Sequence, residues 1–416
     1  MEIHSLFWKQ FEYLNESLLN RVNRIGESYM HPKYLKIMIL SLLILCIAGI
    51  AGAEPISKNP RNVAVLDYSE GGHYDTDFNA NFMSEWWYQN GDLKLVAKDG
   101  EKRKLAFFAV LAHQESPALR DPNSGTPLSY LSTFYGLYPY GGTATGNFTR
   151  TLVPRSSIGN YVKFHVPYLD FIYPEGLRRF NGSGAKGYTL NYSFDNLQLN
   201  LFFKPRAGKT VDNAIEPVNF TTYERAYGKL EGTVVLDGKE YTVTQADGYF
   251  DHMIPYTPDQ FTWELETHGW SWSEMTTDNY QTIFYGMRSI ADGYGNYTYK
   301  HLTLINKHTG KVIKEYSGDQ INIVEKDWKD VVINDRSVKR PSKLKISTPD
   351  LDISMKAQSV VQLDKTSLPS GQPIGFVDFM AFQPDKATIK YKKNVEMGSA
   401  FYEYMVTDKG IISASS

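Results

Sequence analysis

Cysteine is nearly absent: Cys46 is the one thiol in 416 residues. A disulfide framework is excluded, as is a thiolate metal site of the zinc-finger kind, so stability must come from the core. Charge of one sign is lacking too. The formal net charge is -2, without the basic excess expected of a protein that binds nucleic acid or an anionic membrane. There is no G-x-S-x-G elbow and no H-E-x-x-H. Ala207-Gly208-Lys209-Thr210 looks like the end of a phosphate loop, but the first glycine of that motif would fall at Phe203. The nine histidines are scattered without metal-ligand spacing. No metal and no other cofactor is expected.

Aromatic residues are abundant. They make up 14% of the chain and include 29 tyrosines, which suits pleated, half-buried strands. Long amphipathic helices are not evident beyond Ala53. Instead, short strand-like runs are separated by turn dipeptides. Residues 88–112 read as two strands around Asp99-Gly100. Residues 228–244 read as a hairpin with Asp237-Gly238 at its tip, and 281–316 as further strands with turns at Asp292-Gly293 and Thr309-Gly310. Residues 344–361 alternate apolar and polar. Many short strands argue for barrels or sandwiches, and the length argues for two domains. Residues 114–130 and 203–219 are rich in Pro, Gly, Asn and Asp, and the second is the better boundary, giving domains over 60–218 and 219–410.

The N-terminal 1–53 reads as a leader. From Met30 a basic stretch precedes an apolar run within 37–53 and a small-x-small site at Ala51-Gly52-Ala53. A cleaved signal peptide is expected ahead of an uncleaved anchor, and Cys46 would leave with it. The start at Met1 or at Met30 stays open. An extracytoplasmic location follows, secreted or anchored, with membrane contact only through a retained leader. Sequons at Asn147, Asn181, Asn191, Asn219 and Asn296 are candidate glycosylation sites in an exported protein.

Two stretches concentrate the residues able to carry chemistry. The first is SEWWYQNGDL (84–93), where a carboxylate precedes three aromatics and Asn90-Gly91 reads as a turn. Neighbours on a strand face opposite ways. Glu85 therefore shares a face with Trp87, and Trp86 shares one with Ser84 and Tyr88. Glu85 is a site residue only if the Trp87 face is the inward one. The second is Gly248-Tyr249-Phe250-Asp251-His252-Met253, continuing to Gly269-Trp270-Ser271-Trp272. Asp251-His252 sits at what reads as a strand end, and Trp270 and Trp272 share a face.

Together these stretches resemble the carotenoid 1,2-hydratase (hydroxyneurosporene synthase) and AttH-like family. Its members carry His-Glu-Trp-Trp-Tyr, then a hairpin ending in aromatic-Asp-His or Asp-Arg, then Gly-Trp-x-Trp. The tail is similar as well, with Trp328, KLKISTPDLDISMKA (343–357) and Gly398-Ser-Ala-Phe-Tyr-Glu-Tyr (398–404). The resemblance covers about residues 80–405. It implies two packed lipocalin-like antiparallel β-barrels and an apolar ligand, isoprenoid or similar, with hydration of a carbon–carbon double bond among the known chemistries.

Hydration needs an acid held neutral by burial, aromatic faces to stabilise a cation, and a base to help water. On this logic Asp251 or Glu85 donates the proton and His252 orients water or the acid. Trp86 or Trp87, Tyr88, Tyr249, Trp270, Trp272 and Tyr285 line the cavity. The chain departs from the hydratases at Ser84, where they have His, and at Met253-Ile254-Pro255, where Trp is absent. It also departs at 283–288, which lack an acid, and around Ile374–Asp378, where Tyr-Trp-Glu-Gly is replaced. These departures keep a non-catalytic carrier for an apolar ligand as the alternative.

Overall fold

The structure is a computed structural model. It describes residues 70–72, 82–206, 210–213, 220–257, 267–289, 296–333, 336–364 and 376–407. The leader 1–53, Asn219 and the Asp292-Gly293 turn lie outside the described residues. All described residues fall within the unit Lys58–Ser416. Among them no helix is long and apolar enough to cross a membrane.

Turn chemistry and alternation build the first sheet from β1 (Phe82–Ala97), β2 (Lys102–Arg120), β3 (Pro127–Pro139), β4 (Thr145–Pro154), β5 (Leu169–Ile172), β6 (Arg178–Ser183), β7 (Gly187–Phe194), β8 (Leu197–Pro205), β9 (Thr210–Asn213), β10 (Phe220–Leu236) and β11 (Lys239–Thr257). The order is β4-β3-β2-β1-β11-β10-β8-β7-β6-β5, with β9 on β10, all antiparallel. The tip of β10–β11 is Asp237-Gly238 with both φ positive, as a type I′ turn requires. The sheet curls so that its edges meet: Thr151 Oγ1 on β4 lies 3.0 Å from the Tyr173 hydroxyl just after β5.

The second sheet contains β12 (Thr267–Thr276), β13 (Tyr280–Ser289), β14 (Tyr297–Asn306), β15 (Lys311–Ser317) and β16 (Asn322–Lys326). A separate hairpin, β17 (Lys329–Ile333) and β18 (Arg336–Arg340), intervenes. The sheet resumes with β19 (Lys343–Ser347), β20 (Leu351–Lys356), β21 (Ser359–Asp364), β22 (Phe376–Tyr391) and β23 (Asn394–Thr407). The order is β15-β14-β13-β12-β23-β22-β20-β19-β16, with β21 on β22. The all-β, lipocalin-like architecture expected from the sequence is therefore present.

The boundary expected at 218/219 is displaced. β10 pairs with β8 and β11, and β11 pairs with β1, so the chain leaves the first sheet only after Thr257. The described parts of 203–219, the end of β8 and all of β9, belong to that same sheet. Asn90-Gly91 is also not a turn, because β1 runs through it to Ala97. Its glycine serves close approach: a Cβ there would meet Leu230 Cδ1 at 2.3 Å.

Period-2 alternation sorts side chains into three cores. On β2, Leu105, Phe107, Ala109 and Leu111 face the interior of the first sheet, with Trp87, Leu93 and Leu95 of β1. The alternate residues Ala106, Phe108, Val110 and Ala112 face the second sheet. There they meet Trp272, Ile283, Tyr285, Met380, Phe382 and Phe401, and this shared layer is the seam. A third core fills the second sheet with Phe284, Leu302, Leu304, Ile346, Ile353 and Phe379. Fully burying one such large apolar side chain contributes about 1.5–3 kcal/mol, so the seam is a core in its own right. The Tyr138 hydroxyl donates across it to the Met380 carbonyl at 2.9 Å.

Candidate functional site

The register of β1 on β11 decides where the candidate residues go. Trp87 lies opposite His252, and Tyr88 lies opposite Asp251. Both pairs are mid-strand, so Asp251-His252 is neither a turn nor a strand end. Being adjacent on a strand, the two residues diverge to opposite faces. Of the two candidate acids that His252 was expected to serve, Asp251 therefore faces away from it and Glu85 is the one it meets.

His252 turns into the first sheet with Glu85 and Trp87. Glu85 Oε1 lies 2.5 Å from His252 Nε2, and its Oε2 lies 2.5 Å from His113 Nε2. Glu85 and His113 are fully buried, and His252 is nearly so. Trp87 stacks on the His252 ring at 4.6 Å and meets Phe171 edge-on at 5.6 Å. His113 Nδ1 is buried without a hydrogen-bond partner. The arrangement compensates a buried carboxylate with two ring donors. No spacing in the sequence links His113 to Glu85; the β1–β2 register, which sets the two opposite each other, does.

Asp251 turns the other way, to the seam. The Tyr249 hydroxyl donates to Asp251 Oδ2 at 2.8 Å, and the Tyr285 hydroxyl approaches the same oxygen at 3.4 Å. The two hydroxyls lie 2.8 Å apart, so a residue of each sheet converges on one carboxylate. Aromatic walls surround it. Trp272 meets Tyr88 and Tyr249 at 5.3 Å each, and Trp86 stacks on Trp270 at 6.2 Å across the seam. Of the residues expected at one site, Asp251, Trp86, Tyr88, Tyr249, Trp270, Trp272 and Tyr285 are gathered here. Glu85, His252 and Trp87 are not.

At one end the seam opens into a polar cleft of about 190 Å³, lined by residues of both sheets including Asn90, Asp92, Asp247, Glu274, Lys307 and Ser399. Its carboxyls differ in protonation. Burial pushes Glu274 up to about 7, against the hydrogen bonds from Thr276 and Gln281 that pull it down. Burial also raises Asp92, although Tyr140 and Ser399 donate to its Oδ2 at 2.6 and 2.8 Å. Burial works on Asp247 in the same direction, but Lys307 and Lys229 outweigh it and hold that carboxyl below its ordinary value. Glu274 was missed from sequence, yet a signal existed: Trp270, Trp272 and Glu274 are spaced by two on β12 and share the seam face.

Within the second sheet, Arg288 is buried and donates to Ser271 Oγ at 2.9 Å and to the Met405 carbonyl at 2.5 Å. The Tyr297 hydroxyl donates to Glu325 Oε1 at 2.5 Å. Burial, with Arg288 nearby, pushes His268 down to about 4.

A Nitrosomonas europaea protein described as an AttH superposes with a TM-score of 0.55 at 13% identity, covering 83% of this chain and 98% of that one. The fold is shared. CghA, solved with Sch210972, superposes at 0.51 and 11% identity over 84% of this chain and 97% of its own. Kievitone hydratase from Nectria haematococca gives 0.48 and 11%, over 85% and 96%. No family model and no curated protein sequence matches the chain. The resemblance carried by the Glu-Trp-Trp-Tyr and Gly-Trp-x-Trp motifs thus extends to the whole architecture.

Proposed function

We propose that the seam binds an apolar, unsaturated small molecule, isoprenoid or similar, and that Asp251 performs acid–base chemistry on one of its double bonds. The reading is carried by one observation: Tyr249 and Tyr285 converge on the Asp251 carboxyl inside an aromatic wall built by both sheets. A protonated Asp251 transfers its proton to an alkene carbon, leaving a tertiary cation. The faces of Tyr88 and Trp272 stabilise that cation. Water adds to it and returns a proton to the carboxylate, for a net gain of one water. If a neighbouring carbon loses the proton instead, the product is an isomer. Both outcomes use the same acid, in the manner of general acid–base catalysis. CghA, of the same fold, has been solved with Sch210972, which supports a ligand-binding role for this architecture.

The reading includes location. The basic, apolar and small-residue succession over 30–53 supports export, with the working part outside the cytoplasm.

Incubating the purified protein with a panel of prenylated phenols and isoprenoid alkenes tests the activity. A product heavier by one water, or an isomer, is expected, and Asp251→Asn abolishes it. Recovery of an unchanged, co-purifying apolar compound, with no conversion of any panel member, would support the carrier instead.

A further inference from the structure

Glu274 lies one same-face step along β12 from Trp272, where the aromatic seam gives way to the polar cleft. Its hydrogen bonds are one-sided. Thr276 Oγ1 donates to Oε1 at 2.5 Å, and Gln281 Nε2 donates to the same Oε1 at 2.9 Å. When the carboxyl is protonated, the oxygen that already accepts two donors serves as its carbonyl oxygen, which places the proton on Oε2. We propose that the cleft receives the uncharged oxygen head, a hydroxyl or carbonyl, of an otherwise apolar ligand, and that the Glu274 carboxyl donates a hydrogen bond to it. This rests on the seam being the ligand site and adds the class of molecule that fills it: amphipathic, with a neutral head, rather than a hydrocarbon or an anion.

The charges around Glu274 favour a neutral head. Lys307 is held by Asp247 at 2.6 Å and by the Thr277 carbonyl at 2.7 Å. Lys104 is held by Asp385 at 3.1 Å, and Lys94 by Gln245 at 2.9 Å. Each lysine on the cleft wall thus has an acceptor, and Lys307, whose charge acts on Glu274, is already paired with a carboxylate. Asp92 is covered by the Tyr140 and Ser399 hydroxyls, and Asp278 is the remaining acid on the wall. The backbone is pressed close here: a Cβ on Gly398 would meet the Thr276 carbonyl oxygen at 2.0 Å, so the wall beside Glu274 is fixed. The spacing fits a ligand of moderate length. From Trp270, stacked on Trp86, to Glu274 is four strand residues, about 13 Å.

Because the Glu274 carboxyl sits near 7, its donor is present below neutrality and is lost above it. A carboxylate would repel the lone pairs of the same head. Affinity for a neutral-headed ligand therefore falls as pH rises through about 7.

Titrating the full chain with farnesol, farnesene and farnesoic acid between about pH 5.5 and about pH 8.5 tests this, read by tryptophan fluorescence and calorimetry. Farnesol is expected to bind about five- to tenfold more tightly than farnesene at the acid end, the worth of one net hydrogen bond, and to lose that margin at the alkaline end. Glu274→Gln, which keeps a donor at every pH, retains the margin throughout, while Glu274→Leu removes it. Equal binding of farnesol and farnesene at every pH would overturn the head-group subsite and leave the seam reading standing. So would tighter binding of farnesoic acid than of farnesol at neutral pH. Binding of none of the three would overturn both.

Discussion

Glu85 and Glu274 are both buried carboxyls on the central strands of their sheets, two residues from a tryptophan that shares their face, yet their surroundings differ. Glu85 is enclosed within the first sheet by two imidazoles and Trp87. Glu274 faces the seam, held by a hydroxyl and an amide on one oxygen and bordering a cleft. Burial alone therefore does not assign a role. A carboxylate with charge-assisted donors on both oxygens holds structure together. One bonded on a single oxygen at a cavity wall remains able to donate.

The comparison is broken most forcefully at Glu85. Glu85→Ala strands His113 and His252 in the interior and should cost about 3–5 kcal/mol of unfolding free energy, read by urea denaturation. A loss below about 1 kcal/mol would show that the triad is not a structural centre.

At Glu274 the effect depends on pH. Its folded pKa of about 7 lies above the ordinary 4.5, so the native state binds the extra proton and stability falls as pH rises from about 4.5 to about 7. Glu274→Gln removes that slope. Relative to the parent, the variant should gain up to about 3 kcal/mol between acid and mildly alkaline pH, seen as converging, then crossing, melting curves. Parallel curves across that range would mean that Glu274 ionises normally.

Asp251→Asn should leave melting nearly unchanged and reduce turnover about 100-fold or more, about 2.7 kcal/mol in barrier. Trp86→Ala, which removes the stack on Trp270, should cost about 1 kcal/mol of stability beyond lost burial and weaken apolar ligands. The smallest effect belongs to the rim. Asp385→Asn breaks an ion pair to Lys104 that solvent reaches on both sides, and should change stability by less than about 1 kcal/mol.

Much of the architecture was legible in the sequence because turn dipeptides mark hairpins locally. Asp99-Gly100, Asp237-Gly238 and Thr309-Gly310 all lie at turns between paired strands. What misled was composition without pairing. Residues 203–219 carry the Pro, Asn and Asp content of a linker but lie between strands of one sheet, and Asn90-Gly91 has a turn's residues but sits inside β1. The site was half legible. Alternation showed that Glu85 goes with Trp87 and that Trp86 goes with Tyr88, but not which face looks inward. That choice depends on which residues the partner strands present, and those lie far away in the chain. Which of the two acids meets His252 was hidden for the same reason: adjacency in sequence is opposition on a strand, so the partner is the distant Glu85. Glu274 was legible in the same two-residue spacing that sets Trp270 and Trp272 on one face.

Any chemistry is expected at the seam and not inside the first sheet. The most direct measurement compares water gain on an isoprenoid alkene by mass spectrometry in Asp251→Asn and Glu85→Gln, both checked for native near-ultraviolet circular dichroism. The account predicts that conversion disappears in Asp251→Asn and persists in folded Glu85→Gln. Conversion that survives Asp251→Asn and vanishes in folded Glu85→Gln would contradict it.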